Sequence, residues 1–226
     1  MSTQADPAVD VTLPARTPAA AASAVVFDLV GMDPSLRNWA AVHMRWTCDP
    51  RVFTGTEPDP TALELTRIEL IQSEPTHHKQ VRRNSEDLDS ARTLFQGVRQ
   101  FVDTAGVQGP RMVFCEVPHG SQSSRAMASY GICVGVLGSL RAIGMPLFEL
   151  QEREVKLVTG KRTATKAEMI DWAHARYPDA AWPRHQGALS AARCEHIADA
   201  VATVHAGVMH PEFHRLVRLL HSPSAP

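Results

Sequence analysis

The chain has 226 residues and a mass of 24.7 kDa, with 44% hydrophobic residues, 21% charged residues and a formal net charge of −1. At this length and composition a single hydrophobic core is expected, and no run of about 18 uninterrupted apolar residues offers a membrane span. Near-neutral charge argues against indiscriminate nucleic-acid binding, although 19 Arg and 4 Lys against 24 acids leave enough cations to be sorted onto one face.

Residues 1–22 are rich in Ala, Pro, Thr and Ser and poor in large apolar side chains, so a disordered tail is predicted, with one domain spanning 23–222. The tail lacks a basic segment followed by an apolar core and carries Asp6 and Asp10, which disfavours a targeting role. Four cysteines (Cys48, Cys115, Cys133 and Cys194) contain no C-x-x-C pair, as expected of a reduced, cytoplasmic protein. A short β-branched run, Val25–Val30, ends in Gly31-Met32-Asp33-Pro34-Ser35 and reads as a central strand delivering Asp33 to a turn. Two further strands, Asn38–Thr47 and Leu63–Ile71, flank a Pro/Gly/Asp-rich loop. A basic segment, His77–Arg83, leads into a helix start at Asn84 or Ser85, and Leu88, Ala91, Leu94, Phe95, Val98, Phe101 and Val102 then form one apolar stripe.

Arg111–Glu116 reads as a buried strand whose last residue is a carboxylate, followed by a helix over Ser123–Ile143 dense in Ala, Gly and Ser. Leu147–Leu150 is a strand running into a second basic stretch, Lys156–Arg162. Thr165 and Glu168 make a capping box for a helix to about Tyr177, Pro178–Gly187 is a loop, and helices over about Arg193–Val208 and Glu212–Leu220 close the chain. The order β-β-β-α-β-α-β-α-α predicts an α/β domain with a mixed five-stranded sheet flanked by helices, three strands joined as hairpins and two added by parallel crossovers.

In that order Asp33 and Glu116 fall at neighbouring strand ends, and His196 and Asp199, three apart, share one face of a helix. Converging hard oxygen ligands suit Mg²⁺ or Mn²⁺, and two such ions ~3.5–4 Å apart activate water and stabilise both oxygens of an in-line phosphodiester displacement. Strand-terminal acids are also common turn formers and caps, so spacing alone leaves both readings open.

Gly31-Met32-Asp33-Pro34-Ser35-Leu36-Arg37-Asn38 resembles the opening motif of RuvC-type Holliday junction resolvases, in the RNase H-like superfamily. Phe114-Cys115-Glu116 with its small-residue helix resembles the second acidic motif of that family. Val155-Lys156, Gly160, Ala164 and Lys166 resemble its basic segment, and His196-Ile197-Ala198-Asp199 its closing motif. The resemblance runs in order from about Val25 to Gly207. It implies an RNase H-like fold and a homodimeric, Mg²⁺-dependent endonuclease, with Mn²⁺ able to substitute and two ions per site, acting on four-way DNA junctions. Asp33, Glu116, His196 and Asp199 would be the metal-binding catalytic set, with Lys156 and Lys166 on DNA phosphate. Segment 117–123 lacks the aromatic that resembles the junction-opening wedge of bacterial members. Its Ser/Gln-rich turn is more similar to phage-borne relatives, some of which act on forks and flaps, and a nucleoid-associated, phage-encoded protein is one expectation.

Arg125, Lys161, Arg162, Arg82 and Arg83 are further candidate phosphate contacts, although charge runs are more commonly solvated faces. Glu195 is a reserve ligand, Asp28 has the wrong strand parity to join the cluster, and His205, His210 and His214 are expected to be surface or core histidines rather than zinc ligands. The small-residue helix reads as core, and by the resemblance as a dimer seam. The Asp33 turn also resembles the first phosphate motif of actin-like sugar kinases, but no second Gly-rich phosphate loop or adenosine motif accompanies it, so no nucleotide cofactor and no membrane partner are expected. Two other readings remain: a broader fork or flap nuclease, and a catalytically silent junction-binding protein.

Overall fold

The computed structural model describes residues 25–48, 63–74, 83–106, 111–117 and 123–221. The predicted tail, the loop after Cys48, Arg82 and the turn between Val117 and Ser123 lie outside those residues. Five strands form one sheet: β1 (Val25–Asp33), β2 (Asn38–Cys48), β3 (Leu63–Gln72), β4 (Arg111–Glu116) and β5 (Leu147–Leu150), in the order β3-β2-β1-β4-β5. β2 runs antiparallel to β1 and β3, while β4 is parallel to β1 and β5 to β4. The hairpin-then-crossover arrangement read from the sequence is therefore the observed one.

Alternation along β1 divides the core in two. Phe27 and Leu29 point to the face covered by α5 (Ala191–Val208), and Val30 and Met32 point to the face covered by α1 (Arg83–Thr104) and α2 (Ser124–Ala142). Buried Leu94, Val98, Phe101 and Val102 form the inner stripe of α1, whereas Leu88, assigned to that stripe from its spacing, is 73% exposed near the helix start. α5 is buried along most of its length, which fits a sequence apolar on nearly every face from Ile197 to Val208. Two glycines admit it. A Cβ on Gly31 would fall against the Ala200 carbonyl oxygen, 2.6 Å from Val204 Cγ2 and 2.9 Å from Thr203 Oγ1, and one on Gly207 would strike the Phe114 ring. Backbone approach of this kind needs a residue without a side chain.

Thr165 caps α4 (Lys166–Arg176) through the expected reciprocal box: its hydroxyl accepts from the Glu168 amide at 3.3 Å, and its own amide donates to Glu168 Oε2 at 2.8 Å. The terminal helix α6 (Pro211–His221) is anchored by Phe213 and Val217, both fully buried. Phe213 meets Phe27, Trp46, Phe114 and Phe148 at centroid separations of 5.3–6.2 Å. Burying a side chain of that kind contributes about 1.5–3 kcal/mol, enough to dock a helix too short to persist alone.

Three elements depart from the sequence reading. After β5 and running into the basic stretch Lys156–Arg162, where the sequence reading places no element, lies a helical turn, α3 (Glu152–Leu157), in which the Glu154 side chain accepts from the Gln151 amide at 2.7 Å. The segment expected as a loop before α5 carries a hairpin of β6 (Arg184–His185) and β7 (Ala188–Leu189). In α2 only Cys133, Val136, Leu137 and Leu140 are buried, so the helix is core along one stripe rather than throughout, and Cβ atoms at Gly131, Gly135 and Gly138 would meet nothing within 4 Å.

Candidate metal centre and nucleic-acid interface

The pairing of Met32 with Cys115 in parallel register places Asp33 and Glu116 one step further along adjacent strands. Both lie on the α5 side of the sheet, since Gly31 and Phe114, two residues before each, are the positions against which α5 packs. The second and third turns of α5 then bring His196 and Asp199 over the same strand ends. Asp33 Oδ2 accepts from His196 Nδ1 at 2.5 Å, with both side chains about one-fifth exposed.

The electrostatics express the same convergence. Burial is the largest cause raising the Glu116 carboxyl to about 8, and the charges of Asp33, Asp199 and Glu152 push it further while Lys156 opposes them. Burial likewise raises Asp199 to about 7, with Asp33 and Glu195 adding to it and His196 and Lys156 opposing. For His196 burial favours the neutral ring, but the Asp33 hydrogen bond and the surrounding carboxylates prevail and its pKa is raised. Three carboxylates and one imidazole, from β1, β4 and α5, thus share one partly buried space. Among the described residues no group of three His, Cys, Asp or Glu side chains stands at ready-made metal-ligating geometry. The donor set nevertheless fits a divalent cation: hard oxygen ligands whose mutual repulsion a central positive charge would relieve.

Lys156 and Lys166 border this space. Lys156 pairs with Glu152 at 2.5 Å while acting on Glu116 and Asp199, and Lys166 pairs with Glu195 Oε2 at 2.9 Å with its side chain 76% exposed. Glu195 therefore holds a rim lysine, and its other oxygen lies 3.7 Å from His196 Nε2. Lys161 pairs with Glu168 at 2.5 Å, and Arg162 is exposed in the turn before α4. Arg125 is drawn instead toward α1, donating to both oxygens of Asp87 at 2.6 and 2.8 Å, and so ties α2 to α1. Arg83 is the first residue of α1, and its side chain, like Arg82, lies outside the described set.

Asp28 belongs to a different network. Fully buried, it lies on the α1 side, with Oδ1 3.0 Å from His43 Nε2, while His43 Nδ1 lies 2.5 Å from Thr66 Oγ1. Burial, the largest influence on His43, lowers its pKa. The Thr66 hydroxyl donates to the His43 carbonyl oxygen at 3.1 Å, so Asp28, His43 and Thr66 form one polar chain across β1, β2 and β3. His205 is a core residue whose Nε2 is hydrogen-bonded to the Tyr177 hydroxyl at 2.7 Å, and His214 Nε2 donates to the Val208 carbonyl at 2.7 Å. Sequence reasoning missed the part played by α3: the helical turn after β5 is what sets Lys156 and Glu152 beside Glu116. Its signal was available in Gln151 followed three residues later by Glu154.

The chain matches no family model and no curated protein. Among solved structures it is similar to Thermus thermophilus RuvC in complex with a Holliday junction substrate, at 16% identity over 86% of this chain and 97% of that one, with a TM-score of 0.52. A second Thermus thermophilus RuvC structure aligns at 17% identity over 85% and 96% of the two chains, with a TM-score of 0.49. At such identity the likeness concerns architecture, and the mixed five-stranded sheet with its flanking helices is the RuvC/RNase H-like fold.

Proposed function

We propose that this chain is a structure-specific endodeoxyribonuclease that cuts four-way DNA junctions with divalent metal ions, Mg²⁺ or Mn²⁺, two to a site. The observation that carries the reading is the convergence of Asp33, Glu116, His196 and Asp199, from three separate elements, beside two rim lysines. Nothing in the fold needs charged groups there; three carboxylates held together at the edge of an apolar core cost stability. These four side chains would hold the ions, which when bound supply an activated water and charge stabilisation for the leaving oxygen. Lys156 and Lys166 stand where they neutralise backbone phosphate and hold the strand against the carboxylates. Asp33 fixes the orientation of the His196 ring. The bound junction of the RuvC structure with the same architecture supports a branched substrate.

A homodimer is part of this proposal. α2 is apolar around most of its circumference, yet Met127 and Ile143 are 43% and 46% exposed, and the glycines between them face open space. A second copy packed there would cover that face, and a two-fold assembly would match two cuts in a two-fold substrate.

The test is Asp33→Asn, which keeps size and one oxygen ligand but removes the charge that attracts cations. It should bind a labelled four-way junction with near wild-type affinity and cleave it at least ~10²-fold more slowly in single-turnover assays with Mg²⁺. Cleavage at the wild-type rate would overturn the assignment and favour a junction-binding protein without catalysis.

A further inference from the structure

Between Trp172 and Cys194 the chain carries Arg176, Arg184, Arg193, His174 and His185 against a single acid, Asp179. The centre of this segment is the β6–β7 hairpin, which lies outside the main sheet and is exposed from Arg184 to Ala188. Its base is firmly held. Trp182 is 5% exposed and its Nε1 donates to the Tyr177 carbonyl at 2.8 Å, the Ser190 amide donates to the Pro183 carbonyl at 2.9 Å, and the Cys194 thiol donates to the same carbonyl at 3.4 Å.

The tip is equally defined. His185 pairs with Ala188 across a two-residue turn, and Gln186 and Gly187 have φ values of 50° and 86°, positive at both central positions as a type I′ turn requires. Gln186 is the sole described non-glycine residue with positive φ. Arg184 donates to the Gly187 carbonyl at 3.0 Å, which closes the loop and leaves most of its donors directed to solvent. The result is a short, stiff projection whose exposed side chains add nothing to the core.

Its position links it to the candidate site. The hairpin ends at Leu189, directly before Ser190, the N-cap of α5 six residues ahead of His196, and Arg184 is close enough to act electrostatically on Cys194. Lys166, at the start of α4, reaches the same end of α5 through Glu195. Arg193 stands in the first turn of α5, where no acid is present and the Ser190 side chain makes no capping bond. A cation at that end opposes the helix dipole, and local choices that work against stability are expected where function demands them.

We propose that the β6–β7 hairpin and the first turn of α5 that follows it form a rigid finger that grips the phosphodiester backbone of the bound nucleic acid beside the candidate metal centre, through Arg184 on the hairpin and Arg193 on α5. The inference rests on the nuclease reading above, because a nucleic acid must occupy that end of the molecule. Two arginines on phosphate should account for about 1.8 units of the slope of log binding constant against log salt for a duplex arm.

The test compares full-length wild type, Arg184→Ala/Arg193→Ala, Lys156→Ala/Lys166→Ala, and a control pair, Arg92→Ala/Arg99→Ala, on the outer side of α1. Binding to one labelled four-way junction is titrated across salt concentrations, with thermal unfolding to verify folding. A photo-crosslinking amino acid placed at Gln186, with both arginines retained, reports directly on the finger. The expected result is a slope flattened by nearly two units in the hairpin pair, a smaller change in the control pair, and crosslinks from position 186 to a DNA strand. A hairpin slope equal to wild type or to the control, with no crosslink, would overturn the finger while flattening in the lysine pair left the nuclease reading standing. A wild-type protein that did not bind the junction would overturn both.

Discussion

Gly31→Ala tests whether the site depends on how closely α5 lies against the sheet. The added methyl would overlap the Ala200 carbonyl oxygen and sit 2.6 Å from Val204 Cγ2 and 2.9 Å from Thr203 Oγ1. Non-bonded carbon atoms settle at about 3.5–4.0 Å, so α5 must withdraw by roughly 1 Å or β1 must buckle. The backbone oxygen has no rotamer to escape into. Overpacking of this kind typically costs about 1–3 kcal/mol, and the upper end is expected here because the obstacle is main chain. The displaced helix carries His196 and Asp199, two of the four converging side chains, while Asp33 and Glu116 stay on the strands. A misplacement of about 1 Å in a catalytic group can cost ~10²-fold in rate. Denaturant unfolding should show a loss of about 3 kcal/mol, and single-turnover junction cleavage should fall by roughly 10²-fold at a temperature where the variant remains folded. Wild-type stability together with a wild-type rate would refute the claim that close packing of α5 assembles the site.

Replacing Lys156 and Lys166 together by Ala should weaken junction binding and reduce its salt slope by about two phosphate contacts' worth; an unchanged slope would return both to solvated ion pairs with Glu152 and Glu195. Burial lowers the His205 pKa to about 3, far below its unfolded value of 6.5, so the unfolded chain binds the extra proton between those values. The contribution of His205 should be full above pH 6.5 and fall by up to about 1.4 kcal/mol per unit as pH drops through the window, against the opposite trend from Glu116 and Asp199, whose raised pKa values make the folded chain the better proton binder there. His205→Asn, whose amide can either donate to or accept from Tyr177, should flatten that dependence in urea titrations at pH 6.5 and 5. Gly135→Glu, on the open face of α2, should leave monomer stability nearly unchanged but reduce the light-scattering mass from that of a dimer to 24.7 kDa; a wild-type protein already monomeric with and without DNA would remove the dimer from the proposal.

Much of this architecture is legible in the sequence because its signals are local and strong. Val25–Val30 and Arg111–Glu116 are short apolar runs ended by a carboxylate, and a period of two decides that Asp33 faces α5 while Asp28 faces α1. Thr165 and Glu168 announce α4 through their own side chains. What the sequence conceals is longer range. Leu88 follows the spacing of the α1 stripe but lies in the second turn of the helix and stays exposed, while Leu94, Val98, Phe101 and Val102 are buried. Arg125 reads as a cation close after Glu116, and only the fold shows that Asp87, 38 residues earlier, takes both of its bonds. The hairpin escaped notice because Gln186-Gly187 is not among the dipeptides that favour a type I′ turn, and its strands are two residues each.

The acidic cluster itself is where local rules and the fold disagree. A sheet whose strand ends were chosen for stability alone would not place Glu116 where burial and the carboxylates of Asp33, Asp199 and Glu152 raise it to about 8, nor set Asp199 on a helix otherwise packed with Ala, Val and Ile. Lys156 offsets part of that repulsion, yet it is committed to Glu152 on its own helix and supplies only one charge. Removing any one of the three acids would relieve the others, so the apolar core supplied by Phe27, Phe114 and Phe213 must offset a standing electrostatic cost. Positive charge arriving from outside the chain, as a divalent cation, reverses the sign of that cost, and a polyanion held by Lys156 and Lys166 would arrive on the side where the cations already are. On the proposed reading, the same groups that weaken the isolated fold would become the groups that bind, and local choices that work against stability are expected where function demands them.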